Sequence, residues 1–333
     1  MSVSCLKPTE AWQDMRQFTK NGKHPVIFSY KEVLELAHGD VTALEGNSRF
    51  RPLTVRCGKC LLCRQVRAEE IAVRALLELK SYPVDVQHSF ITLTVSDDRL
   101  PEVFPDARLN HRSFQLFMKR LRKRGVDCRY LMCGEYGERT HRPHYHCVLF
   151  GWMPLDGYFD SLGCWHGSKL LEEVWPFGHV TCEPVNPNRI FYVAGYTLKF
   201  GSDEERWRPY VRWSRRPGLG HDYIVSRGWQ QMVIEDVEWF RHQKFKTFFY
   251  RTFVGRKEVR FASRFVDEKL RLTNPEKFDT LFSARQGRLL LEQEKLKSSP
   301  EAQALSRKAL MNKANQIRYQ LARRKRELQP VVA

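Results

Sequence analysis

The chain has 333 residues, with 56 Lys and Arg against 38 Asp and Glu and a formal net charge of +18. That length supports a buried core without disulfides; no charged-then-apolar leader and no apolar run of membrane-spanning length accompanies the nine cysteines, so secretion and membrane insertion are not expected and the thiols read as free or metal-bound. Twelve tyrosines and eight tryptophans beside this charge suit an anionic, stackable partner, nucleic acid first, although a solvated basic surface would carry the same charge.

Residues 1–56 are mixed in character, punctuated by Pro8, Pro25 and Pro52, and only a helix over 30–37 is expected there. Over 61–79, Leu62, Val66, Ile71 or Val73, Leu76 and Leu77 recur at near-helical spacing among charged residues, which predicts an amphipathic helix. Residues 88–95 alternate polar and apolar positions and are rich in β-branched side chains, the pattern of a strand. Phe114, Phe117, Met118 and Leu121 then fall at i, i+3, i+4 and i+7 between Asn110, a capping residue, and Gly125, a stop; this helix exposes Lys119, Arg120, Arg122, Lys123 and Arg124. Segments 130–133 and 144–150, separated by the turn-rich Gly134-Glu135-Tyr136-Gly137, read as paired antiparallel strands. A short helix over 169–175, a strand over 179–184 and a helix over 189–200 capped by Asn188 follow. The element order predicts an α+β fold, a central antiparallel sheet flanked by helices.

Past residue 200 the character changes. Arg206, Arg208, Arg212, Arg215, Arg216 and Arg227 are interleaved with Trp207, Tyr210, Trp213, Tyr223 and Trp229, a composition that grips phosphates and stacks bases. Leu310, Ala314, Ile317 and Leu321 mark a basic helix near the C-terminus, whose charged face is either solvated or DNA-contacting. Three regions are expected: 1–56, 57–220, and a basic 221–333 that binds DNA or a partner.

The chemistry concentrates at Arg142-Pro143-His144-Tyr145-His146. Side chains at i and i+2 of a strand share a face, roughly 6 to 7 Å apart at the root, so two imidazoles can converge on one ion. Alone, this pair reads equally well as one packed and one exposed histidine. Glu135, nine residues upstream on the neighbouring strand, moves the reading toward a metal site with two nitrogens, one oxygen and open positions for water and phosphate. Such a donor set suits catalytic Mg²⁺ or Mn²⁺ over a closed structural zinc, with Mn²⁺ the more tolerant of imidazole. His141, in the turn, competes as a ligand.

Downstream, Tyr192, Tyr196 and Lys199 share one helix face at i, i+4 and i+7. A phenol with a pKa near ~10 is a weak nucleophile at neutral pH, and a polarised phosphate plus a nearby ammonium would make its attack feasible. The same spacing also describes an aromatic stripe packing a helix on a sheet; the histidine pair favours the chemical reading. Cys57, Cys60 and Cys63 form C-x-x-C-x-x-C, a spacing of zinc or iron–sulfur ligands that lacks a local fourth. Cys5 or a histidine is open to complete it, and free thiols at the start of a helix whose Arg64 and Arg67 meet DNA are the alternative.

Three stretches in this order resemble the HUH endonuclease superfamily, and in particular its rolling-circle replication initiators: Phe90-Ile91-Thr92-Leu93-Thr94, Pro143-His144-Tyr145-His146, and Tyr192 to Lys199. The tyrosines spaced by four are similar to those of initiators of single-stranded DNA phages, the Microviridae. Cys57-Gly58-Lys59-Cys60-Leu61-Leu62-Cys63-Arg64 and Ser214-Arg215-Arg216-Pro217-Gly218-Leu219-Gly220 resemble elements of the gokushovirus initiators. The resemblance spans 57–220 and implies a nuclease domain there. It further implies a metal-dependent nick at the origin of the replicative form, a 5′-phosphotyrosine link, a free 3′ hydroxyl for the host polymerase, and rejoining of the displaced strand, in the cytoplasm of a bacterial host. Lys199 would position the scissile phosphate. No G-x-x-x-x-G-K-[ST] occurs, so unwinding is expected from a host helicase. Two other readings stay open: a non-catalytic basic DNA- or RNA-binding regulator with a structural metal, and an HUH relaxase or transposase.

Overall fold

The computed structural model describes residues 5–20, 22, 24–40, 49–137, 141–159, 165–198 and 209–225, individual positions between 251 and 299, and 300–327. The chain forms two compact units, Met1–Arg64 with Ala284–Ala333, and Gln65–Ser283.

In the first unit, β1 (Thr9–Asp14) lies between β2 (Val26–Ile27) and β3 (Phe50–Val55) in an antiparallel sheet. Helix α1 (Tyr30–Leu36) starts where the Ser29 hydroxyl accepts from the Glu32 N–H at 3.2 Å, satisfying a donor the first turn leaves over. Val33, Ala37 and Phe50 are buried with Trp12, Ile27 and Leu34 packed against them. Asp14, 1 % exposed, accepts from Arg49 Nη2 at 2.8 Å. The helix was expected and the three strands were not: β1 is largely polar, β2 has two residues, and Pro52 interrupts β3. Because β3 is an edge strand, Pro52 costs the ladder little.

The second unit is built on five antiparallel strands in the order β10-β5-β6-β4-β9: β4 (Ser89–Thr94), β5 (Arg129–Tyr136), β6 (Pro143–Phe150), β9 (Val180–Pro184) and β10 (Tyr210–Trp213). Helices α2 (Leu61–Lys80) and α6 (Pro187–Gly195) cover one face, where Ile71, Ala75 and Leu76 meet Phe90, Leu131, Val148, Ile190 and Val193. The short α3 (Leu100–Val103), α4 (His111–Lys123) and α5 (Lys169–Val174) cover the other, where Phe114, Phe117 and Leu121 meet Leu93, Met132, Tyr145 and Trp175. A hairpin of β7 (Gly157–Phe159) and β8 (Trp165–Ser168) precedes α5, and α7 (His221–Val225) follows β10. Period-two alternation distributes the strands' side chains between the two cores, giving the expected α+β architecture.

Two local expectations need correction. Gly134, Glu135 and Tyr136 are not a turn but the last residues of β5, held there because Glu135 and Tyr136 pair with His144 and Pro143. The cap of α6 is Asn186, not Asn188: its side chain accepts from the Arg189 N–H at 3.1 Å, and Pro187 fixes the first helical residue. The cap at Asn110, accepting from the Arg112 N–H at 3.0 Å, stands as expected. The C-terminal helix, α8 (Pro300–Glu327), buries Ala314 and Ile317. Among the described residues no helix is long and apolar enough to cross a membrane.

Candidate active site

Strand register assembles the site. Glu135 on β5 stands opposite His144 on β6, and His146 stands between Cys133 on β5 and Thr92 on β4. Glu135, His144 and His146 therefore point to the same face of the sheet, and a ligand atom from each lies within 4.8 Å of the others. One carboxylate oxygen, Glu135 Oε1, is the meeting point: His144 Nε2 is 2.9 Å away and His146 Nε2 2.8 Å.

The outer ring nitrogens decide what these contacts mean. His144 Nδ1 lies 3.0 Å from the Arg142 carbonyl, an acceptor only, so Nδ1 carries the hydrogen and Nε2 of a neutral ring is a lone pair. That lone pair faces the Glu135 oxygen, and two acceptors at 2.9 Å repel unless a positive charge lies on or between them. His146 Nδ1 lies 2.9 Å from Thr92 Oγ1, a hydroxyl able to accept its hydrogen and leave Nε2 free. Ligating histidines are typically oriented this way, the outer N–H fixed by a carbonyl or hydroxyl and the inner nitrogen turned to the ion. The donor set thus fits a divalent cation. His141 stays in the turn, exposed, outside this cluster.

Burial works against a charged Glu135, but hydrogen bonds from His144 and His146 and the attraction of their rings outweigh it and hold the carboxyl well below the usual range. Burial lowers His146, partly offset by Glu135.

The tyrosines come from above this face. Capped at Asn186 and anchored by buried Ile190, Val193 and Ala194, α6 carries Tyr192; Tyr196 opens the 3₁₀ turn Tyr196–Leu198 that follows. Tyr192 OH donates to Glu135 Oε1 at 3.1 Å and lies 3.3 Å from His146 Nε2. Tyr196 OH donates to Tyr192 OH at 2.7 Å. Burial, then the negative charge of Glu135, pushes both phenols well above their ordinary pKa. Phe90 stacks on His146, centroids 5.6 Å apart at 13°, with the Arg189 guanidinium 4.8 Å over its other side. The site thus brings Glu135, His144, His146, Tyr192 and Tyr196 together. Thr92 and Phe90 are site residues that sequence reasoning did not single out, although they alternate on the strand on the same face as the histidines. Lys199, Arg206 and Arg208 lie outside the described residues.

Arg215 and Arg216 line a second feature, a cleft of about 650 Å³ with Arg67, Arg74, Trp213 and His221. Its loop is held down by Glu78 on α2, which accepts from Arg129 Nε at 2.5 Å and from the Gly220 N–H at 2.6 Å. Trp213 pairs with Leu131, four residues along β5 from Glu135; at about 3.4 Å per residue that is roughly 14 Å along the strand. The cysteines of the C-x-x-C-x-x-C run also cluster, joined by Cys5.

Residues 88–201 match a family model for replication-associated proteins of the ORF2 type. The chain is 32% identical over 189 residues to the replication-associated protein ORF4 of Chlamydia phage 1, covering 51% of this chain and 46% of that protein. It is 31% identical over 197 residues to the replication-associated protein VP4 of Bdellovibrio phage phiMH2K, 52% of this chain and 60% of that one. With ORF2 of Spiroplasma virus 4, likewise a replication-associated protein, identity is 31% over 216 residues, 59% and 61% of the two chains. The resemblance to phage replication proteins is therefore present, and the match spans from about half to three fifths of these relatives' length. No solved structure matches.

Proposed function

We propose that this chain initiates rolling-circle replication of a single-stranded DNA phage by nicking one strand at the origin and holding the 5′ end on tyrosine. The observation that carries the reading is the Tyr192 hydroxyl, 3.1 Å from Glu135 and 3.3 Å from His146, with the Tyr196 hydroxyl 2.7 Å behind it. Such an arrangement suits the replication role in the relatives' names: a nucleophile aimed at a phosphate beside a cation site.

His144, His146 and Glu135 would hold Mg²⁺ or Mn²⁺. When bound, the ion supplies positive charge to the scissile phosphate and to the phenol beside it, reversing the effect that burial has on the tyrosine pKa. Tyr192 is placed to attack first. Its oxygen forms the new bond to phosphorus while the bond from phosphorus to O3′ breaks; the phenol loses its proton and the departing 3′ oxygen gains one. Tyr196, in hydrogen-bond reach of Tyr192, is placed to attack the regenerated origin after one round. The second transfer returns the first 5′ end to a 3′ hydroxyl, closing the displaced circle. No ATP is needed, since each step exchanges one phosphodiester for another. Lys199 would balance charge on the phosphate or the departing phenolate. The Arg67, Arg74, Arg215 and Arg216 cleft with Trp213 would grip single-stranded DNA on the tyrosine face of the sheet, and Arg206 and Arg208 extend this basic run in sequence. Unwinding and synthesis would fall to a host helicase and polymerase, in the host cytoplasm.

The test is to incubate the protein with single-stranded phage origin DNA and Mn²⁺ and search for a nucleotide adduct by mass spectrometry. The adduct is expected on Tyr192, lost with chelator, lost in Tyr192→Phe with Tyr196→Phe, and reduced at least about 100-fold in Tyr192→Phe alone. An adduct that persists undiminished in the double variant would sink the proposal.

A further inference from the structure

The tyrosine chemistry leaves the cysteine cluster unused. Its four sulfurs, Cys5, Cys57, Cys60 and Cys63, all lie within 4.8 Å of one another, with Cys5 Sγ 3.5 Å from Cys57 Sγ and 3.8 Å from Cys60 Sγ. A disulfide would need sulfurs about 2.05 Å apart. Four thiolates around one ion at about 2.3 Å stand some ~3.8 Å apart at the corners of a tetrahedron. An iron–sulfur cluster, whose thiolates bind different irons, spreads its sulfurs wider.

We infer that Cys5, Cys57, Cys60 and Cys63 form a closed tetrahedral zinc site that staples the N-terminal unit. The fourth ligand comes from the sheet. β1 and β3 pair with Thr9 opposite Val55, so the chain entering β1 and the chain leaving β3 continue side by side, bringing Cys5 to Cys57. Gly58, with φ +71°, turns the chain between Cys57 and Cys60 where a side chain would be strained. Three backbone N–H groups already donate to the sulfurs: Cys60 to Cys57 Sγ at 3.3 Å, Cys57 to Cys5 Sγ at 3.4 Å, and Leu6 to Cys60 Sγ at 3.4 Å. Donors of this kind stabilise negative charge on a ligating thiolate. Arg56, Lys59 and Arg64 flank the ligands in sequence and offset the double negative charge of a zinc tetrathiolate. The unit needs such a staple, because the buried cluster beside its sheet is only Val33, Ala37 and Phe50, and small cores lean on metals for stability. This inference is independent of the tyrosine reading.

The experiment uses the full chain purified without chelator, carrying His144→Ala and His146→Ala so that the other cation site cannot contribute. Metal analysis is expected to find about one zinc per chain. N-ethylmaleimide labelling, mapped by peptide mass spectrometry, is expected to spare the four cysteines until a strong chelator strips the zinc, and then to reach all four. Cys5→Ser should bind zinc at least about tenfold more weakly in competition with a chromogenic chelator; should that variant fail to fold, the labelling of the cysteine-intact chain still decides. No zinc, iron in its place, or Cys5 labelling that chelation does not change would overturn the inference.

Discussion

Thr92 does for His146 what the Arg142 carbonyl does for His144, fixing the outer ring nitrogen and so turning the inner one to the site. Replacing it with valine keeps the shape and removes the hydrogen bond. Thr92→Val is expected to raise the Mn²⁺ concentration needed for half-maximal cleavage about 10-fold or more while leaving metal-free binding of single-stranded DNA unchanged, measured by manganese titration and fluorescence anisotropy. An unshifted titration would show that Thr92 does not orient the ligand. The histidines and the tyrosines were legible because each spacing is local, i to i+2 on a strand and i to i+4 on a helix. Thr92 was harder to assign: its partnership with His146 spans 54 residues and depends on the register of two strands, which no local pattern encodes. Glu135 falls between these cases, legible as a hairpin neighbour although its surroundings have the composition of a turn.

At the scale of elements, long apolar stripes were the readable part. The helices α2 and α4 and the strands β4 and β6 each bury a stripe long enough to fix its period, and their observed ends lie within a residue or two of those expected. Short strands were invisible, β10 most consequentially: its four residues Tyr210–Trp213 read only as aromatic and basic composition, although they close the sheet and set Trp213 in the cleft. The cap of α6 was misplaced by two residues because Asn186 and Asn188 both precede the helical run, and only Pro187 distinguishes them. Asn186→Ala is expected to cost about 1 kcal/mol of stability in urea unfolding. It should slow single-turnover adduct formation further than that loss of folded protein explains, because α6 carries Tyr192; Asn186→Asp should restore both. Equal loss in stability and rate would mean that the cap only supports folding.

For the whole molecule, the net charge of +18 predicted a polyanion partner but not where it binds. The cleft gives that charge an address, with Arg215 and Arg216 at its wall. Binding of a single-stranded oligonucleotide should weaken linearly on a log–log plot against salt, and Arg215→Ala or Arg216→Ala should each lower the slope by about 1 if it neutralises a phosphate. Slopes identical to the parent chain would take the cleft out of the DNA path. The α+β class and central antiparallel sheet were legible from element order, while the small sheet of the N-terminal unit was not, since its strands lack alternation. The antiparallel pleat of β6 has a last consequence, an evolutionary one. His144, His146 and Val148 face the tyrosines, whereas Tyr145, Cys147 and Leu149 fill the core beneath α4 and α5, so adjacent codons answer to opposite constraints. Gaining or losing one residue within the strand would exchange the two sets, burying both imidazoles and presenting core side chains to the site. Lineages of this fold can therefore drift by substitution along β6 but cannot change its length by one, and the histidine spacing is locked by geometry as much as by chemistry.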